Sequence, residues 1–390
     1  MAEGKYHREM GTYTFETDEH KELRAQIRRF ALNSITPHAN AWEEAEEFPI
    51  GLYRESAEAG FLGLGYPEEW GGVGGDFAHA MVAAEELLVA GKSVGTVVGL
   101  GSLNIAVPSI LVHGTDEQKE RYVRPALRGQ KIAALAITEP GGGSDVASLR
   151  TTATLDGDHY VVNGSKTFIT SGTRADYISA AVRTGGEGHA GVSMLLIDAD
   201  TPGYSVGSKL KKTGWWASDT AELHFDDCRV PASNLLGHVG GGFGVIMTGF
   251  VAERIMLASQ CVAIMDLAYA ESVAYAQERR AFGKSLTGFQ VIRHKLADIS
   301  TRLAAARALT GNVMQAHLRG EATPSDAAQA KNCASDACSW VCDQAVQIFG
   351  GYGYMRESVV ERLYRDARLY PIGGGTREIM NEIIAKFEGY

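Results

Sequence analysis

Residues 239–265 are almost entirely apolar or small, and the only charged side chains among them are the adjacent Glu253 and Arg254. A run of that length has to be covered. The two charges at its centre, and Gly240, Gly241 and Gly242 near its start, argue for a core helix over a membrane span. Moving a carboxylate out of water is costly unless it is paired or hydrogen-bonded, and burial raises its pKa toward the range useful for proton transfer at neutral pH. Two readings of the pair therefore stand at this point: a structural ion pair, or an acid employed in chemistry.

The rest of the chain supplies the core that such a helix needs. With 390 residues, 45% of them hydrophobic, two or three globular domains are expected. A net charge of -10 argues against nucleic acid as a partner, because neutralising phosphates needs a basic face. Residues 1–14 mix acidic and basic side chains with no apolar core after them, so no secretory signal is expected and a cytoplasmic location is the default. The five cysteines, an odd number, fit a reducing compartment. Cys333, Cys338 and Cys342 lie among Ala334, Ala337, Trp340 and Val341 in a helix-like stretch, which reads as buried free thiols rather than zinc ligands; no metal is expected.

Three textures follow one another. Thr17 as a cap, Asp18 and Glu19 in a first turn, and Leu23, Ile27 and Phe30 at helical spacing begin an all-helical domain assigned to residues 1–132. Residues 133–235 then alternate, with turn signals at Asp156-Gly157-Asp158, Asn163-Gly164 and Pro202-Gly203, and read as a β-domain. Asn163-Gly164 predicts a hairpin between the strands on either side of it. From 236 to 390 the helices are long: one through Arg279, one over 291–318, and one opened by Thr323-Pro324 and closed by Gly350-Gly351, the grammar of a four-helix bundle.

Two segments carry the most specific signal. Residues 136–148 read A-I-T-E-P-G-G-G-S-D-V-A-S, a strand-like start running into three glycines that expose backbone N–H groups and permit close approach of a ligand. Residues 347–366 read Q-I-F-G-G-Y-G-Y-M-R-E-S-V-V-E-R-L-Y-R-D. Both resemble the characteristic motifs of the acyl-CoA dehydrogenase family, flavoproteins that desaturate acyl thioesters between the α and β carbons. Residues 166–170 and 278–284, with Phe289 and Gln290, extend the resemblance over essentially the whole chain from Thr17.

The fold implied by this resemblance is α+β and multidomain, with an N-terminal helical domain, a middle β-domain and a C-terminal four-helix bundle. No G-x-G-x-x-G follows a strand, so a Rossmann mode of holding the flavin is not expected. The resemblance instead implies FAD with Leu135, Ile137, Thr138, Phe168 and Thr170 around its ring, and Gly143 and Ser144 at its phosphate or at the substrate's CoA. It further implies that Arg279, Phe282, Gln290, Gln347 and Gly351 reach the FAD of a neighbouring subunit in a homotetramer, with Thr376 and Glu378 near the phosphates.

Many members carry the catalytic glutamate in a tyrosine-glutamate-glycine-threonine sequence, and the matching positions here are Gly373, Gly374, Gly375 and Thr376. Gly374 has no side chain to offer. A subgroup that includes isovaleryl-CoA and long-chain acyl-CoA dehydrogenases instead places the base in a glutamate-arginine pair on the bundle helix, which Phe250-Val251-Ala252-Glu253-Arg254 matches. The resemblance thus makes Glu253 the base that removes the α proton, Gly374 N–H a donor to the thioester oxygen, and Arg254 an orienter of Glu253 or of substrate. The expected product is a trans-2-enoyl-CoA, with electrons passing to an electron-transferring flavoprotein. Three alternatives are an acyl-carrier-protein substrate, a flavin oxidase or monooxygenase, and a non-catalytic DNA-binding homologue. Trp215 and Trp216 receive no role from sequence.

Overall fold

The computed structural model describes residues 12–390. Most of the segment read above for a targeting signal, residues 1–11, lies outside the described residues. Eight helices come first: α1 Asp18–Ser34, α2 Ala39–Ala45, α3 Gly51–Glu58, α4 Phe77–Gly91, α5 Val94–Leu100, α6 Leu103–His113, α7 Asp116–Gln118 and α8 Arg124–Leu127. Thr17 caps α1 as its sequence predicts, and Ile27 is fully buried against α4. The β region contributes β1 Ala133–Ala136, β2 Thr152–Asp156, β3 His159–Thr170, β4 Tyr177–Arg183, β5 Val192–Asp198, β6 Tyr204–Lys209, β7 Thr220–Pro231 and β8 Leu235–Leu236. These form one sheet in the order β6-β7-β3-β2-β4-β5-β8, with β1 added in parallel beside β4.

One sequence expectation is corrected here. Asn163-Gly164 does not reverse the chain, because β3 runs straight through it and pairs with β7 on both sides of a register shift. Gly164 has a φ of 145°, and a Cβ there would lie 2.7 Å from Thr151 Oγ1, so the glycine permits a bulge where two backbone segments nearly touch. The reversal sits one signal earlier, at Gly157, between β2 and β3.

Helices return with α9 Gly242–Thr248 and α10 Phe250–Glu278, separated by Gly249 where the sequence predicts a single helix. A short β9 Arg280–Ala281 and β10 Lys284–Ser285 ribbon leads into α11 Gln290–Leu318, α12 Pro324–Phe349, α13 Val359–Ala367 and α14 Arg377–Glu388. Thr323 and Asp326 form the capping box that opens α12. α10 is the central member, packed on α4, α11 and α12. Residues 94–113 and 242–278 are long and apolar enough to cross a membrane, yet 67% and 50% of their most apolar windows are already covered by protein.

Candidate active site

Glu253 sits in the first turn of α10 and lines a narrow cavity of about 20 Å³. The wall is shared by Leu135 of β1, Asn104, Ile105 and Ser109 of α6, Val245 and Ile246 of α9, and Phe250. Leu135 and Glu253, expected from sequence to flank one reaction centre, therefore meet in one space. Burial raises the Glu253 carboxyl above the usual range, and the charges of Arg254 and Lys331 pull it part of the way back. A carboxylate tuned upward in an apolar recess suits a proton acceptor.

The turn before α14 comes to the same place. Gly374 has a φ of 65° and Gly375 a φ of 97°, conformations that glycine adopts without a side-chain clash. A Cβ built on Gly374 would lie 3.4 Å from Glu253 Oε1 and 2.5 Å from Leu257 Cδ1. The two positions from which a base is expected in the family thus address one point, and here only Glu253 has the carboxylate. Arg254 is buried; its Nε donates to Gly374 O at 3.3 Å, and its guanidinium lies 5.1 Å from the Phe250 ring centre. Its guanidinium therefore braces the glycine turn rather than forming a close ion pair with Glu253. Thr376 caps α14 by accepting from Ile379 N, while Glu378 is exposed in the first turn.

The first motif is held from beneath by a buried ion pair. Lys166 Nζ donates to Glu139 Oε1 at 2.8 Å and to Ile137 O at 3.0 Å, and Glu139 accepts from Arg150 N and Thr151 N. Burial pushes the Lys166 ammonium down to about 8, although Glu139 opposes the shift. The pair fixes the backbone on both sides of Thr138, whose carbonyl accepts from Thr167 N at 2.9 Å. Gly141, Gly142, Gly143 and Ser144 beyond it are exposed. Lys166→Met leaves Glu139 buried without its cation, a change that costs about 3–5 kcal/mol. Thermal melting should register this as a large fall in Tm.

Phe168 has a φ of 60° and is 68% exposed, so its ring stands free of the sheet; Thr170 is half-buried two residues on. Arg279, Phe282, Gln290, Gln347 and Gly351 do not reach the cavity; all five are exposed. Phe282 is 95% exposed with a φ of 49°, and Arg279 lies 6.0 Å from the ring centre of the exposed Tyr352.

Sequence reasoning missed several residues. Lys331 of α12 is 1% exposed among Ala327, Ala328, Ala330 and Ala334, and its signal was a lone lysine on an alanine face. Asn104, Ser109 and Leu257 could be placed only by packing. Trp215 and Trp216 now have positions: Trp215 N donates to Asp366 Oδ1 at 2.6 Å, and the Trp216 ring lies between the guanidinium groups of Arg356 and Arg365 at 4.3 and 3.8 Å. Next to them, Ala217 N donates to Glu43 Oε1, and burial, then the nearby Glu43 charge, pushes Asp366 up to about 7. Cys338 and Cys342 are buried free thiols as expected, and so is Cys261, whereas Cys333 is free but only half-buried. His20, Asp76 and His79 bring potential ligand atoms within 4.8 Å of one another, but both imidazole Nδ1 atoms serve helix N-terminal capping boxes.

Comparison with known proteins fits this geometry. Residues 17–130, 134–228 and 240–388 match the family models for the N-terminal, middle and C-terminal domains of acyl-CoA dehydrogenases. The chain is 40% identical over 372 residues to an acyl-CoA dehydrogenase of Bacillus subtilis, covering 95% of this chain and 98% of that protein. It is 37% identical to the mitochondrial long-chain specific acyl-CoA dehydrogenase of Rattus norvegicus, covering 95% and 86%. The crystal structure of a probable acyl-CoA dehydrogenase from Mycobacterium abscessus superposes with a TM-score of 0.94 at 50% identity, covering 96% of this chain and 99% of that one. The protein has the helical, β, helical fold of these enzymes and is an oxidoreductase acting on acyl-CoA: the chain belongs to the acyl-CoA dehydrogenase family.

Proposed function

We propose that the protein is an FAD-dependent acyl-CoA dehydrogenase in which Glu253 removes the α proton and Gly374 N–H helps hold the thioester oxygen. The observation that carries this reading is the 3.4 Å between Glu253 Oε1 and the point where a side chain on Gly374 would begin. Three features support a flavin here. Phe168 is exposed, a Cβ on Gly141 or Gly142 would meet nothing within 4 Å, and Leu135 lines the cavity of Glu253. FAD would supply the acceptor for the β hydride.

The chain's own residues do the rest. Glu253, raised by its apolar recess, is a stronger base than an ordinary carboxylate and takes the proton at Oε1 or Oε2. A backbone N–H at Gly374 stabilises negative charge on the thioester oxygen as the α carbon is deprotonated, and a trans-2-enoyl-CoA results. Ile105, Val245, Ile246 and Phe250 supply the apolar part of the recess wall. Electron-transferring flavoprotein is the proposed acceptor, a homotetramer the proposed assembly and the cytoplasm the proposed location.

Anaerobic mixing with a panel of straight and branched acyl-CoAs tests the assignment and ranks the substrates. Bleaching of the flavin within seconds by at least one of them, with the enoyl-CoA as product, is the expected result. Oxygen uptake with peroxide formation in air as the only turnover, or no bleaching by any thioester, would remove it.

A further inference from the structure

Successive glycines carry the largest backbone freedom of any sequence, so the turn over residues 373–375 has to be held by something outside itself. Two cations do this. Arg254 of α10 donates to Gly374 O, and from the opposite helix Lys331 Nζ donates to Gly375 O at 2.8 Å. Lys331 Cε and Glu253 Oε1 lie 3.5 and 3.4 Å from the same point, the Cβ position of Gly374. The Gly375 carbonyl is the one hydrogen-bond acceptor of Lys331 among the described residues. A buried lysine with one hydrogen-bond acceptor is poorly compensated for leaving water, and a neutral side chain would fill that helix position at less cost.

We propose that Lys331 is a positioning residue for the reaction: its ammonium braces the glycine turn from α12, fixes the Gly374 N–H relative to Glu253, and favours the carboxylate form of Glu253. This rests on the reading of Glu253 as the base. The groups acting on Lys331 are Glu253, Arg254 and Cys261, all from α10. Around the same helix, Arg377 of α14 is paired with Asp336, Glu378 is exposed, Lys295 of α11 is bound to Gln344, and Asp366 of α13 is bound to Trp215. Burial lowers the ammonium to about 8, with the charge of Arg254 acting in the same direction and that of Glu253 against it. The brace therefore carries its charge at neutral pH and weakens to a neutral amine as the medium turns alkaline.

The sign of each limb follows. Activity rises with pH as Glu253 ionises and falls near pH 8 as Lys331 loses its proton. In Lys331→Met the alkaline limb is expected to vanish, the acid limb to move up by about one pH unit because a neighbouring cation is gone, and kcat to fall by about 10–100-fold with KM nearly constant. Lys331→Arg stays charged throughout, so it should restore kcat to within a few-fold and show no limb near pH 8. The pH profiles of kcat and kcat/KM for holoenzyme decide it. Wild-type kcat and both limbs in Lys331→Met, or a limb near pH 8 that persists in Lys331→Arg, overturn the proposal. Should Lys331→Met not fold, the arginine variant decides alone. Glu253→Gln run beside them separates the two claims. Turnover surviving in it removes the base assignment, whereas an inactive Glu253→Gln with an unaltered Lys331→Met profile removes Lys331 only.

Discussion

Glu253→Gln is expected to fold, to bind flavin and to lose turnover by about three orders of magnitude, the contribution of a well-placed general base. Stability should hardly change. The wild-type carboxyl is already pushed toward its neutral form by burial, and a neutral amide of the same shape carries no desolvation cost for a charge. Far-UV circular dichroism, a thermal melt and the flavin absorbance of the purified variant establish that the scaffold is intact. Stopped-flow bleaching by the best acyl-CoA then gives the loss in the chemical step. A rate within tenfold of wild type would mean that another group takes the proton.

The second large effect concerns the relation between positions 253 and 374. In a Glu253→Gly background, adding Gly374→Glu should recover about 10–100-fold of the lost rate, because both side chains address one point in the cavity. Recovery is incomplete for two stated reasons. A non-glycine residue at a φ of 65° carries about 1–2 kcal/mol of strain, and the new Cβ meets Leu257 Cδ1 at 2.5 Å. Leu257→Ala in the same protein removes the second obstacle and should raise the rate further. Gly374→Glu with Glu253 retained has the opposite outcome. Two carboxylates crowded together force one to hold its proton, and activity falls. A folded, flavin-loaded double variant no faster than Glu253→Gly would show that the two positions do not reach the same atom.

Local signals made the sequence legible where they acted alone. The caps at Thr17 and Thr323 fixed helix starts that the structure reproduces, and the charges inside the apolar run pointed to Glu253 before any neighbour was known. Asn163-Gly164 misled because its turn chemistry was overridden by pairing: β7 runs alongside both halves of β3, so the glycine serves a close approach to Thr151. The break at Gly249 was invisible for a different reason, since glycine inside an apolar run is compatible with a continuing helix. Lys331 was passed over because one lysine in a helix is ordinarily a surface residue, and its meaning depends on a turn 44 positions away.

The loop at Trp215 and Trp216 bears on how the molecule holds together. Glu43 from the N-terminal helices, the Trp215–Ala217 backbone from the sheet and Asp366 from the last bundle helices share one buried cluster of charges and N–H donors. A Cβ on Gly214 would come within 2.7 Å of Asp366 Oδ1, so the fit leaves no slack. Pulling any of the three regions away breaks these hydrogen bonds and leaves buried polar groups without partners. The seams where the sequence changes texture are therefore not lines of weakness, and the chain should melt as one body.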